Sequence, residues 1–220
     1  MLYPSLMVDN FFEDPQKIVN FSKTIEFDQN SEGQYPGSRT KALHIIDRNF
    51  FLYVTRKIIS ILYPLNYEEL IWTADASFQK IPSNLYKNEG WVHTDRRQAE
   101  FTSIIYLSDH KNCGTSLYEA KNFTSDTLHV DEKIKFNKKI IKEENVYALR
   151  ENNNQFNKTF TFNSKFNRMI LFDSSYWHGA DKFGDNINSD DRLTLILFFN
   201  NIRSDKLNIK YPISEMRRFQ

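Results

Sequence analysis

The chain is poor in the residues that the commonest cofactor motifs need. Its 220 residues hold six glycines. Neither G-x-G-x-x-G nor G-x-x-x-x-G-K-[S/T] occurs, so the dinucleotide and phosphate-loop readings have no support. The one cysteine, Cys113, excludes an intrachain disulfide and a cysteine-rich zinc site, and fits a reducing compartment. As a lone thiol it is expected to be buried rather than nucleophilic. No apolar run approaches a membrane span, and MLYPSLMVDNFFEDP has no basic segment leading into an apolar one. The expectation is a cytoplasmic protein without a membrane contact. An excess of charge of either sign is missing too. Lys and Arg number 29 against 28 Asp and Glu, a formal charge of +1, so no global field draws the chain to nucleic acid. Repeats and Pro/Gly/Ser linkers are absent, so one domain over residues 1–220 is expected.

What is abundant is aromatic: 19 Phe and 11 Tyr suggest a β-rich core. The order of elements begins with a short strand, Leu6 to Val8, and a helix over 15–25 that starts at Asp14-Pro15. QYPGSRT is a turn centred on Pro36-Gly37, and His44 after it falls in an expected edge strand. Phe51, Val54, Ile58, Ile59 and Leu62 recur at helical spacing. IWTADASFQKI, EFTSIIYL, TSLYEA, KTFTF, NRMILFD and RLTLILFFN then read as strands. Between them DEKIKFNKKIIKEENVYALRENNN is charged, and Ile134, Ile140, Ile141 and Val146 suit one face of a single solvated helix. Seven or eight strands preceded by helices predict a mostly β protein with flanking α. Its form is a jelly roll with the helical part (1–68) packed outside a core (69–203), which carries a helical insertion near 131–150.

GWVHTDRR places His93 and Asp95 two apart, on one face if the segment is extended. An imidazole nitrogen beside a carboxylate oxygen suits divalent iron, manganese or zinc, but a third ligand is needed. His110 sits in a turn and His129 beside the charged insertion, whereas His178 follows an apolar strand and an Asp-Ser-Ser turn in NRMILFDSSYWHGAD. Fourteen residues further, Arg192 opens RLTLILFF. Arg192, Thr194, Ile196 and Phe198 share one face there, and Leu193, Leu195, Leu197 and Phe199 the other, as in a central strand. An arginine buried at its end needs an anion, and guanidinium holds a carboxylate bidentately. Each residue alone has a bland reading, as a capping group, a core histidine or a solvated ion pair. Their order and strand contexts taken together do not.

His93-x-Asp95, His178 and Arg192-x-Thr194, with SIIYLSDHKNCGTSLYEA and NRMILFDSSYWHGA around them, resemble the Fe(II)/2-oxoglutarate-dependent oxygenases. The resemblance spans roughly residues 70–200 and is strongest to prolyl-hydroxylase-like and phage-encoded members. FFEDPQKIVNFS is similar to a bacterial and phage branch, implying a bacterial or phage-infected cell. The fold so implied is the double-stranded β-helix. The implied ligands of Fe(II) are His93, Asp95 and His178, leaving positions for 2-oxoglutarate and O2. Arg192 and Thr194 would hold the distal carboxylate, joined by Tyr106. Asp95 itself favours hydroxylation over halogenation, where a small residue replaces it. Cys113-Gly114 departs from the two glycines of many members. The implied activity is hydroxylation with release of succinate and CO2. The alternatives are a non-catalytic jelly roll and a cupin-like metalloenzyme that does not use 2-oxoglutarate.

For the substrate, a small molecule or a peptidyl residue is favoured over nucleic acid. Gln79, Trp91, Arg96, Arg97 and Trp177 are candidate contacts, with Lys87 and Tyr176 flanking the ligands. Thr73, Asp75, Ser77 and Gln79 form a polar row that lines a pocket or faces solvent. Arg96 and Arg97 point to an anionic substrate or form a solvated pair.

Overall fold

The two faces of RLTLILFF organise the molecule. In the computed structural model, which describes residues 3–29, 32–65, 67–82, 89–122, 130–138, 143–184 and 191–204, this segment is the strand Arg192–Arg203. The strands in chain order are β1 (Leu6–Val8), β2 (Phe27–Gln29), β3 (Ser38–Thr40), β4 (Ile71–Ile81), β5 (Phe101–Tyr106), β6 (Thr115–Ala120), β7 (Phe156–Phe162), β8 (Arg168–Asp173), β9 (Trp177–Ala180) and β10 (Arg192–Arg203). Seven of them form an antiparallel sheet in the order β1-β8-β5-β10-β4-β3-β2, and β7-β6-β9 form a second, smaller sheet. β10 lies at the centre of the larger sheet, between β5 and β4.

Because strand side chains alternate, Leu193, Leu195, Leu197 and Phe199 project to one face and are buried there. That face packs on the helices α1 (Pro15–Lys23), α2 (Leu43–Ile46) and α3 (Arg48–Leu62). Val54, Ile58, Ile59 and Leu62 of α3 supply the facing stripe. Each fully buried side chain contributes roughly 1.5–3 kcal/mol through burial. Both long helices start at an aspartate cap: Asp14 accepts from the Lys17 N–H (3.1 Å) and Asp47 from the Phe50 N–H (2.9 Å). The opposite face of β10 looks toward the smaller sheet. At one end of the intersheet space Tyr106, Leu117, Phe162, Ile170 and Phe172 close it with apolar packing. The other end is open and polar.

Several elements differ from the sequence expectation. Among the described residues ten strands form, where seven or eight are expected: β2, β3 and β9 are three or four residues long, too short for alternation to register. His44 lies in α2 rather than an edge strand. LHII has strand-favouring isoleucines, yet Leu43 must bury completely while Ile45 stays exposed, which one helical turn achieves. The charged insertion is two helices, α4 (Val130–Lys138) and α5 (Glu143–Asn153), with Ile140 and Ile141 outside the described residues. It is not merely solvated, since Phe136 and Leu149 are buried against Ile81, Trp91 and Phe183. The N-terminal region supplies three strands of the larger sheet besides its helices. No helix among the described residues is long and apolar enough to cross a membrane.

Candidate active site

His93 is placed by backbone pairing just outside the smaller sheet. Gly90 donates to the Ala180 carbonyl (2.7 Å), and His93 and His178 exchange N–H···O bonds of 2.9 and 2.8 Å. Residues 90–93 therefore run beside β9 almost as a fourth strand. The approach requires glycine at 90, where a Cβ would stand 2.6 Å from the Ala180 nitrogen. From the far side, Asn152 and Asn153 at the end of α5 hydrogen bond the backbone of Val92 and Gly90 at 3.0–3.1 Å. Asp95 then turns back, its N–H donating to the Ser174 carbonyl (2.9 Å).

The side chains converge. His93 Nε2 lies 3.5 Å from Asp95 Oδ1, and His178 Nε2 lies 3.1 Å from Asp95 Oδ2. One ligand atom from each of the three falls within 4.8 Å of the others. His93 Nδ1 meets the Trp91 carbonyl at 2.7 Å, and His178 Nδ1 meets that of Tyr176 at 3.0 Å. A carbonyl only accepts, so each ring carries a hydrogen on Nδ1 and turns Nε2 to the centre. Burial pushes the His93 imidazole down to about 4, aided by Lys133 and His178, so the ring is neutral and able to ligate. Burial alone would raise the Asp95 carboxyl, but His178 and His93 outweigh it and hold it well below the usual range. Thr102 fixes the carboxylate, donating to Oδ2 (3.2 Å) and contacting Ser174 Oγ (2.9 Å). Two imidazoles and one carboxylate, turned to one point with an open side, fit a divalent iron-type ion.

This triad lines a cavity of about 540 Å³ that runs along the inner face of the larger sheet. Arg192 and Thr194 lie in it and are buried. The Arg192 guanidinium donates to the Cys113 carbonyl (3.2 Å) and stands 5.6 Å from the Tyr106 ring. The Thr194 hydroxyl is buried without a hydrogen-bond partner, an orphan that a ligand oxygen would satisfy. Tyr106 is opposite Thr194 across the β5–β10 pair, with its hydroxyl 2.9 Å from Thr115. Gly114 is held by close approach, since a Cβ there would lie 2.0 Å from the Phe162 carbonyl. At 113 the cysteine is accommodated, its buried thiol donating to the Lys111 carbonyl (2.8 Å).

The polar row of β4 meets the cavity, with Asp75, Ser77 and Gln79 lining it. Gln79 is committed to the Pro36 carbonyl (2.6 Å), so it fastens the YPG turn to the sheet. Trp91 also lines the cavity, packed on Phe136 with centroids 5.8 Å apart. Trp177 does not: its ring rests on Phe156 (4.7 Å) and, with Tyr176, borders a separate surface cavity. Arg96 and Arg97 are exposed and do not line the pocket. Lys87 and His129 lie outside the described residues. Arg39, Lys133 and the Thr102–Ser174 pair also line or brace the site, and none of them belongs to a motif visible in the sequence.

The fold is the double-stranded β-helix also seen in solved Fe(II)/2-oxoglutarate-dependent oxygenases, and a His-Asp-His cluster lies at its open end. The chain is similar to HygX from Streptomyces hygroscopicus, solved with nickel and 2-oxoglutarate bound (TM-score 0.55, 10% identity, 89% of this chain and 82% of that one). It is likewise similar to SnoN, a non-heme α-ketoglutarate-dependent epimerase of nogalamycin biosynthesis (0.53, 11%, 90% and 77%). A third is EvdO2 from Micromonospora carbonacea var. aurantiaca (0.54, 12%, 94% and 90%). No curated protein sequence matches. The chain belongs to a family of unknown function, DUF6445, whose model matches residues 3–199.

Proposed function

We propose that the protein is an Fe(II)- and 2-oxoglutarate-dependent dioxygenase that hydroxylates a small molecule or peptidyl residue, releasing succinate and CO2. One observation carries this reading: the triad of two imidazoles and a carboxylate shares its cavity with a buried arginine and an unsatisfied threonine hydroxyl. His93, Asp95 and His178 would hold the iron, and Arg192 with Thr194 the distal carboxylate of 2-oxoglutarate, Tyr106 lying on the same rung. Bound Fe(II) supplies the redox chemistry by which O2 oxidises both 2-oxoglutarate and a substrate C–H bond.

The chain's own part is positional. The Trp91 and Tyr176 carbonyls fix both imidazole tautomers, and Thr102 with Ser174 orients the carboxylate. The guanidinium gives the co-substrate a charge-matched fork, and Thr194 adds a hydroxyl. Ile104 and Ile196, on β5 and β10, line the cavity and make part of its sheet wall apolar. Asp95 occupies the third ligand position, which favours hydroxylation over halogenation. A cavity of about 540 Å³ falls within the range of small-molecule sites. The similar structures were solved with ligands of that kind, hygromycin B in HygX and nogalamycin RO in SnoN. The test is succinate formation from 2-oxoglutarate by the purified protein. It is expected only with Fe(II) and O2 together. Metal binding without 2-oxoglutarate binding would turn the assignment to a cupin-like enzyme.

A further inference from the structure

The far wall of the pocket carries two cations that the oxygenase reading leaves unused. Arg39 on β3 and Lys133 on α4 both line the cavity. Among the described residues neither forms an ion pair, and the Arg39 Nε is buried without a hydrogen-bond partner. The guanidinium is stacked: its carbon lies 4.1 Å from the Tyr35 ring centroid and 5.8 Å from that of Phe198. Aromatic faces on a guanidinium fix its plane while leaving its N–H edges free to fork an oxyacid. Asp75 is exposed, and both it and Asp95 act on Arg39 only from beyond ion-pair distance. Burial lowers both cations' affinity for their protons; Asp95 opposes this at both, and at Lys133 the charge of Arg39 adds to it. Two half-buried cations lining one cavity, neither in an ion pair among the described residues, are stabilised when an anion joins them.

Register separates this pair from the co-substrate end. Arg39 is opposite Gln79, and Gln79 opposite Thr194, so Arg39 and Thr194 occupy one rung with a strand between them. At strand spacing that is roughly 10 Å. A second anionic group can therefore sit here without sharing Arg192. Lys133 arrives on α4, which is tied to the loop before β3 where Asn137 donates to the Gly33 carbonyl (2.9 Å).

We propose that Arg39 and Lys133 form a subsite for a carboxylate or phosphate-type group on the substrate, placing an anionic small molecule or acidic residue across the metal. The proposal rests on the oxygenase reading in one respect, that Arg192 and Thr194 are taken by 2-oxoglutarate. The test uses one scaffold in four charge states. Benzoate, phenylphosphonate, benzyl alcohol and benzylamine are titrated calorimetrically, at millimolar concentration, into protein held anaerobically with Fe(II) and saturating 2-oxoglutarate. The two anions are expected to bind and the alcohol and amine not, and the tighter anion names the oxyacid. Arg39→Gln and Lys133→Gln should each weaken the anions by about tenfold or more, with 2-oxoglutarate affinity unchanged. Because the two residues lie on different elements, misfolding of one variant leaves the other to decide. Equal binding of all four probes, or anion binding untouched by both substitutions, would overturn the subsite. So would a 2-oxoglutarate affinity that falls along with that of the anions. If wild type bound the anions through Arg39 but never bound 2-oxoglutarate, the subsite would stand and the oxygenase reading would fall.

Discussion

The two ends of the pocket are built in opposite ways. At the metal end the side chains are short and tied down: both imidazoles bond to carbonyls, Asp95 is braced by Thr102, and residues 90–95 are pinned by β9 and by two asparagines. At the far wall the side chains are long and cationic, Arg39 stacked on Tyr35, and they come from β3 and an inserted helix pair. The first arrangement suits chemistry that must be held in one geometry, the second suits recognition that differs between related proteins. Rigid placement of the reacting centre and exchangeable placement of the substrate are thus divided between different parts of the chain.

The sharpest way to break this division is at the rigid end. His178→Ala is expected to lower Fe(II) affinity more than about 100-fold, since losing a ligand should exceed the 10–100-fold cost of losing a ligand's own partner. Circular dichroism should show the fold retained. Arg192→Ala should leave iron binding intact but raise the dissociation constant for 2-oxoglutarate by about 30-fold or more, as expected when one partner of a buried charge pair is removed. Unchanged turnover in that variant would favour an enzyme that does not use 2-oxoglutarate. Thr102→Val should weaken iron by about tenfold through the loosened Asp95, with little change in melting temperature. Smallest of all, Arg96→Ala combined with Arg97→Ala should leave metal and co-substrate affinities unchanged by calorimetry, because both side chains are exposed away from the cavity.

The same division explains what could be read from the residues alone. The chemistry of the rigid end lies in strands whose alternation is visible, so His-x-Asp, the apolar run before His178 and the two faces of RLTLILFF pointed to one site and to the jelly-roll class. The far wall has no such pattern. Arg39 sits in a three-residue strand after a Pro-Gly turn, and Lys133 is one lysine among several in a charged helix. Which of those lysines turns inward is decided by the burial of Phe136 three residues on, a tertiary fact. Arg96 and Arg97 are candidates in the sequence only through their adjacency to Asp95. The turn that brings Asp95 inward, with the Gln98 and Ala99 N–H groups closing on the Asp95 carbonyl, carries both arginines outward.

Central to the account is that one pocket binds metal and 2-oxoglutarate together. Calorimetric titration of 2-oxoglutarate into the anaerobic protein, with and without one equivalent of Fe(II), tests this directly. The predicted result is one-to-one binding that is much tighter with the metal present and is lost in Arg192→Ala. A protein that takes up neither Fe(II) nor 2-oxoglutarate would contradict it.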